Sequence, residues 1–239
     1  MDSPGIVRRL VDVTGGRYST EMAIDVDAGT EGLDRWLLAA TLFGNPIPAG
    51  VVVRTYRTLA RAGVRTFGDA GGATWDELVA LLDAGGYARY DFRTASRLQA
   101  IAAFVTERWP DGLVAALRAC DDPVSVAGML GALPGWGPTT TRIFLRELRG
   151  AWPGARTELD ERTIRAAEHL GLAVPDDGRD AVGWLETLAG RAGVDPRDLE
   201  GALIRLSLAH RRHRRACPGG ESCESLRAVG RQARSRRVG

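Results

Sequence analysis

The chain has 239 residues, 44% of them hydrophobic and 26% charged, which is enough to bury the core of one large domain or two small ones. No stretch approaches the ~18 apolar residues of a membrane span, and the first residues lack the basic and apolar segments of a secretory signal. Three cysteines are too few for a disulfide scaffold, so we expect a reduced, cytoplasmic protein.

The net charge of +2 is unevenly distributed. Ten arginines and two glutamates between residues 205 and 239 give this tail about +8, which leaves about −6 for the rest of the chain. Such a split predicts a face for a polyanion, although a solvated tail is the simpler alternative. All 32 basic residues are arginine, so the chain terminus is the only primary amine.

The spacing of apolar residues predicts helices over 33–43 and 48–62. Thr74 and Glu77 form a capping box that opens a helix to Leu82. Asp91 is predicted to cap a longer helix, whose apolar face extends to residue 105.

Further helix starts are predicted where a capping residue or a proline precedes apolar spacing. The predicted helices run from Asp122-Pro123 to about Gly131, from Pro138 to about Gly150, from Asp160 to Gly171, and onward from Asp195-Pro196. No alternating strand pattern is convincing, so the sequence predicts an all-α fold.

Two glycine-rich segments, 69–73 and 151–155, are predicted to be loops. The second is the expected crossing between domains. We therefore predict a central helical domain over 32–150, and a second helical lobe formed by 1–31 together with 151–239.

Residues 133–141 have the sequence Leu-Pro-Gly-Trp-Gly-Pro-Thr-Thr-Thr between two predicted helices. The two glycines allow a tight turn, and a proline fits the first turn of the following helix. The free N–H groups at that helix start form an anion site. The segment resembles the helix-hairpin-helix motif, which implies that Gly135, Gly137, Thr139 and Thr140 contact a DNA phosphate. A glycine turn without a ligand is the alternative.

Residues 159–167, Leu-Asp-Glu-Arg-Thr-Ile-Arg-Ala-Ala, follow this hairpin. Together the two segments resemble the helix-hairpin-helix–GPD (endonuclease III-like) superfamily of DNA glycosylases. The resemblance covers roughly 32–215 and is strong at 133–147 and 159–171. It implies a two-lobed, all-α fold with the active-site cleft between the lobes.

The resemblance also implies that Asp160 is the catalytic carboxylate. Independently, breaking a glycosidic bond builds positive charge on the sugar, which a fixed carboxylate stabilises while it orients or deprotonates water. The alternative for Asp160 is an ordinary helix N-cap, and both roles can coexist.

The sequence departs from this family at two places. Thr139 occupies the position of the lysine that gives bifunctional members their lyase activity, so hydrolysis without strand cleavage is expected. Only Cys217 and Cys223 remain in a segment similar to the family's four-cysteine iron–sulfur loop, so we expect no such cluster and no other cofactor. Zinc bound by these cysteines with His210 and His213 is an alternative, although the cysteine spacing is unusually long.

Two further groups of candidate residues complete the predicted site. The resemblance implies that Asn45 lies near the extruded base, where the family often has a polar residue, and a turn residue before proline is the alternative. Tyr87 and Tyr90 are candidates for stacking on the base, with a position in the core as the alternative. Arginines of the basic tail are candidate DNA contacts: Arg211, Arg212, Arg214 and Arg215.

The sequence thus predicts a monofunctional DNA glycosylase that hydrolyses the N-glycosidic bond of a flipped damaged, mispaired or modified base in double-stranded DNA. We expect a monomer with no membrane association, which acts in base-excision repair or on a specialised modified base. The alternatives are a non-catalytic helix-hairpin-helix DNA-binding protein, and a lyase that uses the terminal amine.

Overall fold

The computed structural model describes residues 2–175, 180–210 and 217–227. In these ranges the secondary structure is helical, with no β-strand, which confirms the all-α class. The α-helices are Ser3–Thr14 (α1), Tyr18–Glu21 (α2), Thr30–Leu42 (α3), Ala49–Arg61 (α4), Phe67–Gly72 (α5), Trp75–Ala84 (α6), Asp91–Arg108 (α7), Leu113–Arg118 (α8), Pro123–Gly131 (α9), Pro138–Arg146 (α10), Glu161–His169 (α11), Ala181–Ala192 (α12), Pro196–Ala209 (α13) and Glu224–Arg227 (α14). A short 3-10 turn, Gly220–Ser222, precedes α14.

The chain divides into a central unit of residues 18–157 and a terminal unit of residues 1–17 and 158–239. The core of the central unit surrounds α3, whose Trp36 and Leu38 are completely buried. The indole Nε1 of Trp36 donates a hydrogen bond to the carbonyl of Phe144 on α10 at 3.1 Å. Since an indole N–H needs a partner when it is buried, this bond holds α10 against α3.

The segment 18–31 packs into the central unit, whereas the sequence analysis grouped it with the chain ends. Apolar side chains of this segment, Tyr18, Met22, Ile24 and Val26, are buried in the central core. The buried carboxylate of Glu147 accepts hydrogen bonds from the backbone amides of Tyr18 and Ser19, each at 2.9 Å. Burial of this carboxyl group raises its pKa, and the bonds from Ser19 and Tyr18 act in the opposite direction.

The terminal unit has its own apolar core, formed by α1, α11, α12, α13 and the last described residues. Val7 and Leu10 of α1 are fully buried there, and so is Cys223. Arg17 is paired with Asp198 of α13 at 3.0 Å, and the Nε of Arg205 donates to the carbonyl of Gly16 at 2.8 Å. These contacts fix the end of the N-terminal segment on α13.

Several predicted helix starts are confirmed. The capping box of Thr74 and Glu77 is present, and Asp122 and Asp195 cap α9 and α13. The N-cap of α7 is Tyr90, with Asp91 as the first helical residue, which corrects the predicted cap by one position.

Two element boundaries also differ from the prediction. The predicted loop at 69–73 lies largely within α5, because Thr66 and Asp69 form a reciprocal capping box and Phe67 and Ala70 are buried. The helix from Pro138 ends at Arg146, before the predicted end near Gly150.

No helix among the described residues is long and apolar enough to cross a membrane.

Candidate functional site

The hairpin between α9 and α10 contains a turn built on two glycines. Gly135 has a φ of +75°, in the left-handed region where other residues are strained. Gly137 is the N-cap of α10, and Pro138 occupies the first turn, where its lack of an N–H leaves no donor unpaired. The predicted start of this helix is therefore confirmed.

Backbone N–H groups remain available at this turn. Among the residues that the structure describes, the amides of Gly135, Gly137, Thr139 and Thr140 donate to no acceptor, whereas the amide of Trp136 donates to the Leu133 carbonyl at 3.0 Å. Unpaired amides at the positive end of a helix attract an anion. The turn can therefore bind a phosphate without recognising a base.

Arg97 places a buried positive charge directly behind the turn. Its side chain belongs to α7 and is 9% exposed, and its Nε lies 2.9 Å from where a Cβ on Gly135 would stand. Within the described ranges it has neither a carboxylate nor a hydrogen-bond acceptor as partner. Burial and the neighbouring Arg93 lower the pKa of Arg97, yet a guanidinium stays protonated in proteins.

The guanidinium of Arg97 is partly desolvated and its nitrogens still contact solvent, so an anion at the turn would gain from this charge without being required by it. Arg97 and the free amides thus give this side of the hairpin a concentrated positive potential. Arg97 is not among the residues predicted from the sequence. The spacing could have identified it, because Arg97 lies three residues after Thr94 and four before Ile101, and so falls on the buried face of α7. A charged residue on a buried helix face is unusual and often has a specific role.

The two predicted threonines differ in what they can offer a ligand. The side chain of Thr139 is exposed, whereas that of Thr140 is only 3% exposed and its Oγ1 lies close to Gly44. Thr139 can therefore contribute both a hydroxyl and an amide, whereas Thr140 can contribute only its amide.

Asp160 lies in the terminal unit, where it is the N-cap of α11. Its carboxylate is partly exposed and accepts a hydrogen bond from the amide of Arg162 at 2.8 Å. Arg165, five residues after Asp160, pairs with Glu161 one turn away. The N-cap role is confirmed, and the catalytic role of Asp160 stays a prediction.

The three candidates for a base pocket lie in the central unit. Asn45 is 7% exposed, and its Nδ2 donates to the hydroxyl of Tyr87 at 3.2 Å and to that of Thr94 at 3.4 Å. Tyr87 is completely buried, and its hydroxyl donates to the carbonyl of Leu42. Since its ring has no exposed face on which a base could stack, we reassign Tyr87 to the core.

Tyr90 is half-buried, with its ring 6.4 Å from that of Tyr87 and 5.6 Å from the guanidinium carbon of Arg89. It therefore remains a candidate for contact with a base. The predicted DNA contacts Arg211, Arg212, Arg214 and Arg215 lie outside the described residues, as does His213.

A second group of reactive side chains lies in the terminal unit. The structure brings His169, from the end of α11, next to His210, Cys217 and Cys223. The ligand atoms of all four lie within 4.8 Å of one another. Burial raises the pKa of the Cys223 thiol, and the adjacent Cys217 acts in the same direction. His169 was not predicted to belong here.

Comparison with models of known protein families gives no match, and none of the curated proteins matches the chain significantly. The resemblance to helix-hairpin-helix glycosylases therefore rests on residues 133–147 and 159–171 themselves.

Proposed function

We propose that this chain is a monofunctional DNA glycosylase of the helix-hairpin-helix–GPD type, and that the central and terminal units are the lobes of that fold. The observation that carries the proposal is the hairpin at 133–141. There, unpaired amides of Gly137 and Thr139 stand at the start of α10, and the partly buried guanidinium of Arg97 lies next to Gly135. This combination suits a DNA phosphate, which it would hold without reading sequence.

The carboxylate of Asp160 supplies the chemistry in this proposal. An altered base leaves the stack of the double helix, and its glycosidic bond lengthens towards an oxocarbenium-like transition state. The negative charge of Asp160 stabilises the developing positive charge on the sugar, and the same carboxylate orients or deprotonates the attacking water. The products are a free base and an abasic site in an intact strand.

A direct test replaces Asp160 by asparagine in the full chain. Asparagine caps a helix as well as aspartate does, so Asp160→Asn removes the charge while it keeps the N-cap of α11. The matched control is Glu161→Gln, which neutralises the exposed neighbouring carboxylate. Substrates are double-stranded oligonucleotides that each carry one lesion or modified base, and excision is measured by alkaline cleavage.

We expect Asp160→Asn to lower the single-turnover excision rate by on the order of 10²-fold or more, the scale of an electrostatic transition-state contribution. DNA affinity should be retained, and Glu161→Gln should excise at the normal rate. Normal turnover by Asp160→Asn would remove Asp160 from the reaction.

A non-catalytic DNA-binding protein is the second candidate, because the hairpin alone is sufficient for binding. It predicts that the wild-type chain binds double-stranded DNA but excises none of the altered bases in the set. Excision of any one of them decides for the enzyme.

A further inference from the structure

Two histidines and two cysteines converge in the terminal unit from three separate parts of the sequence. His169 is the last residue of α11, His210 is the C-cap of α13, and Cys217 and Cys223 lie on either side of the 3-10 turn at 220–222. Three of the four are buried, with Cys223 completely so. Imidazole nitrogen and thiolate sulfur form a donor set typical of structural zinc sites.

Two of the distances among these ligand atoms match the spacing around a single tetrahedral ion, and all four atoms lie within 4.8 Å of one another. Zinc–sulfur bonds of about 2.3 Å and zinc–nitrogen bonds of about 2.0 Å place two ligand atoms roughly 3.3–3.8 Å apart. The Sγ of Cys217 lies 3.4 Å from Nε2 of His169, and the Sγ of Cys223 lies 3.4 Å from Nε2 of His210. An iron–sulfur cube, by contrast, takes each of its ligands on a different iron atom and needs a wider arrangement.

The groups around the four side chains orient them for a ligand. Nδ1 of His210 lies 3.1 Å from the Leu206 carbonyl, so a proton on Nδ1 leaves the lone pair of Nε2 to face the sulfur of Cys223. Metal-binding histidines usually donate their other ring N–H in this way. The amide of Glu224 donates to the Sγ of Cys217 at 3.4 Å, which stabilises a thiolate there.

The loop that carries the cysteines is shaped to pass close to His169. Gly219 has a φ of +74°, and a Cβ on it would lie 2.7 Å from the His169 carbonyl and 3.3 Å from its ring Nδ1. Only glycine allows both this backbone conformation and this approach. The close passage brings Cys217 to the end of α11.

We propose that His169, His210, Cys217 and Cys223 bind one Zn²⁺ ion in a structural site. The sequence alone suggested His213 as a partner, and the structure offers His169 instead. Binding converts two thiols into thiolates, forms two Zn–S and two Zn–N bonds, and releases two protons to solvent. This inference replaces the expectation of a chain without a metal site, and it does not depend on the proposed glycosylase activity.

The role of this ion is structural because it lies at the far end of the helix that Asp160 begins. His169 follows Asp160 by nine residues, which corresponds to about 13 Å along the helix axis. The ion therefore takes no part in chemistry at Asp160. Instead it connects α11, α13 and the loop at 217–223, and it fixes the C-terminal end of α11.

The test begins with the wild-type full chain, purified under reducing conditions without chelator. We expect about one zinc ion per chain by mass spectrometry of the metal content, as four protein ligands saturate one tetrahedral ion. Cobalt added to the metal-free chain should give the visible bands of tetrahedral Co²⁺ and a thiolate-to-cobalt charge-transfer band. Removal of the metal should lower the melting temperature.

Paired variants identify the ligands. His169→Asn and Cys223→Ser should weaken zinc binding by on the order of 10²-fold or more, since each removes a direct ligand. His213→Asn and Cys120→Ser are the controls and should bind zinc as the wild type does. Because a ligand variant can fail to fold, circular dichroism checks the fold of each variant during its titration. The cobalt spectrum of the wild-type chain tests the site independently, since it requires no variant.

Three results would overturn the proposal. The first is a reduced wild-type chain that neither contains zinc nor binds added zinc or cobalt. The second is a stoichiometric iron–sulfur chromophore after anaerobic purification. The third is retention of zinc by His169→Asn together with its loss from His213→Asn.

Discussion

The indole Nε1 of Trp136 donates a hydrogen bond to the hydroxyl of Thr41 at 3.0 Å, and that hydroxyl donates to the Leu37 carbonyl at 2.9 Å. The ring of Trp136 also packs edge-on against Phe144 at 5.8 Å. Trp136 lies between the two glycines of the hairpin turn, so this chain of bonds attaches the turn to α3. The amides of the turn are thereby held by a buried polar contact in addition to their own backbone geometry.

This contact can be measured with a double-mutant cycle. We expect Trp136→Phe and Thr41→Val each to lower the free energy of unfolding by about 1–3 kcal/mol, because each leaves a smaller side chain or an unpaired buried group. The double variant should lose about 1 kcal/mol less than the sum of the two, as the bond can be lost only once. Urea denaturation provides the values, and strictly additive losses would show that the bond contributes nothing.

The two glycines of the turn should respond differently to alanine. Gly135→Ala should lower the free energy of unfolding by about 1–3 kcal/mol, because it combines a positive φ with contact against the buried Arg97. Gly137→Ala should cost less than about 1 kcal/mol, since its φ is ordinary and a Cβ there meets no atom within 4 Å.

The variant Gly137→Ala can also test DNA binding, because its expected effect on folding is small. A methyl group on Gly137 would stand beside the unpaired amides, so Gly137→Ala should weaken the binding of undamaged double-stranded DNA by about tenfold, the loss of one charge-assisted hydrogen bond. Fluorescence anisotropy at fixed salt measures this. Unchanged affinity in a folded Gly137→Ala variant would argue against a phosphate at this turn.

The product of the proposed reaction should be an intact strand with an abasic site, which is nicked only after heat or alkali. Strand cleavage by β-elimination needs an imine with an enzyme amine, and the chain contains no lysine. Borohydride should therefore trap no covalent complex with the wild type. Trapping that persists after the N-terminus is blocked would contradict the mechanism.

Thr139→Lys restores an amine at the position where bifunctional glycosylases carry one. Residue 139 is exposed at the start of α10, so the variant should fold. We expect weak lyase activity and detectable trapping, because the side chain at position 139 is exposed and solvent limits how far the neighbouring positive charge lowers a lysine pKa. Thr106→Lys, on the α7 helix, is the control and should trap nothing.

The salt dependence of DNA binding tests the basic tail. We consider a variant in which glutamine replaces Arg211, Arg212, Arg214 and Arg215. The slope of log affinity against log salt concentration should become less negative by as much as about 3 to 4, because each phosphate that an arginine no longer neutralises removes nearly one from the slope. Substitution is preferable to truncation, because Cys217 and Cys223 belong to the core of the terminal unit. An unchanged slope would show that these arginines do not bind DNA.

Local signals account for the parts of the fold and site that could be predicted. Thr74 and Asp122 cap their helices by bonding to residues at most three positions later, so the pattern is visible in the local sequence. The hairpin could be predicted because its residues are consecutive in the chain. Helix α5 could not be predicted in this way, since its three glycines disfavour a helix and only its capping box and buried Phe67 compensate.

The contribution of distant residues could not be inferred from spacing. Arg97 reaches the turn at Gly135 from a helix nearly forty residues earlier, and His169 lies 48 residues before Cys217, its partner at 3.4 Å. Such pairs depend on how helices pack after they form, which single-sequence periodicity does not describe. His213, one turn from His210 in sequence, was the natural choice without that information.

The division of the chain at residues 17 and 157 has a consequence for synthesis on the ribosome. The central unit is one uninterrupted stretch, so it can fold as soon as it has emerged. Helix α1 is made before the central unit, whereas its partners α12 and α13 are made after it. Its apolar face, which includes Val7 and Leu10, therefore lacks these partners until both helices have been made, and during that time it is a surface on which the nascent chain can aggregate.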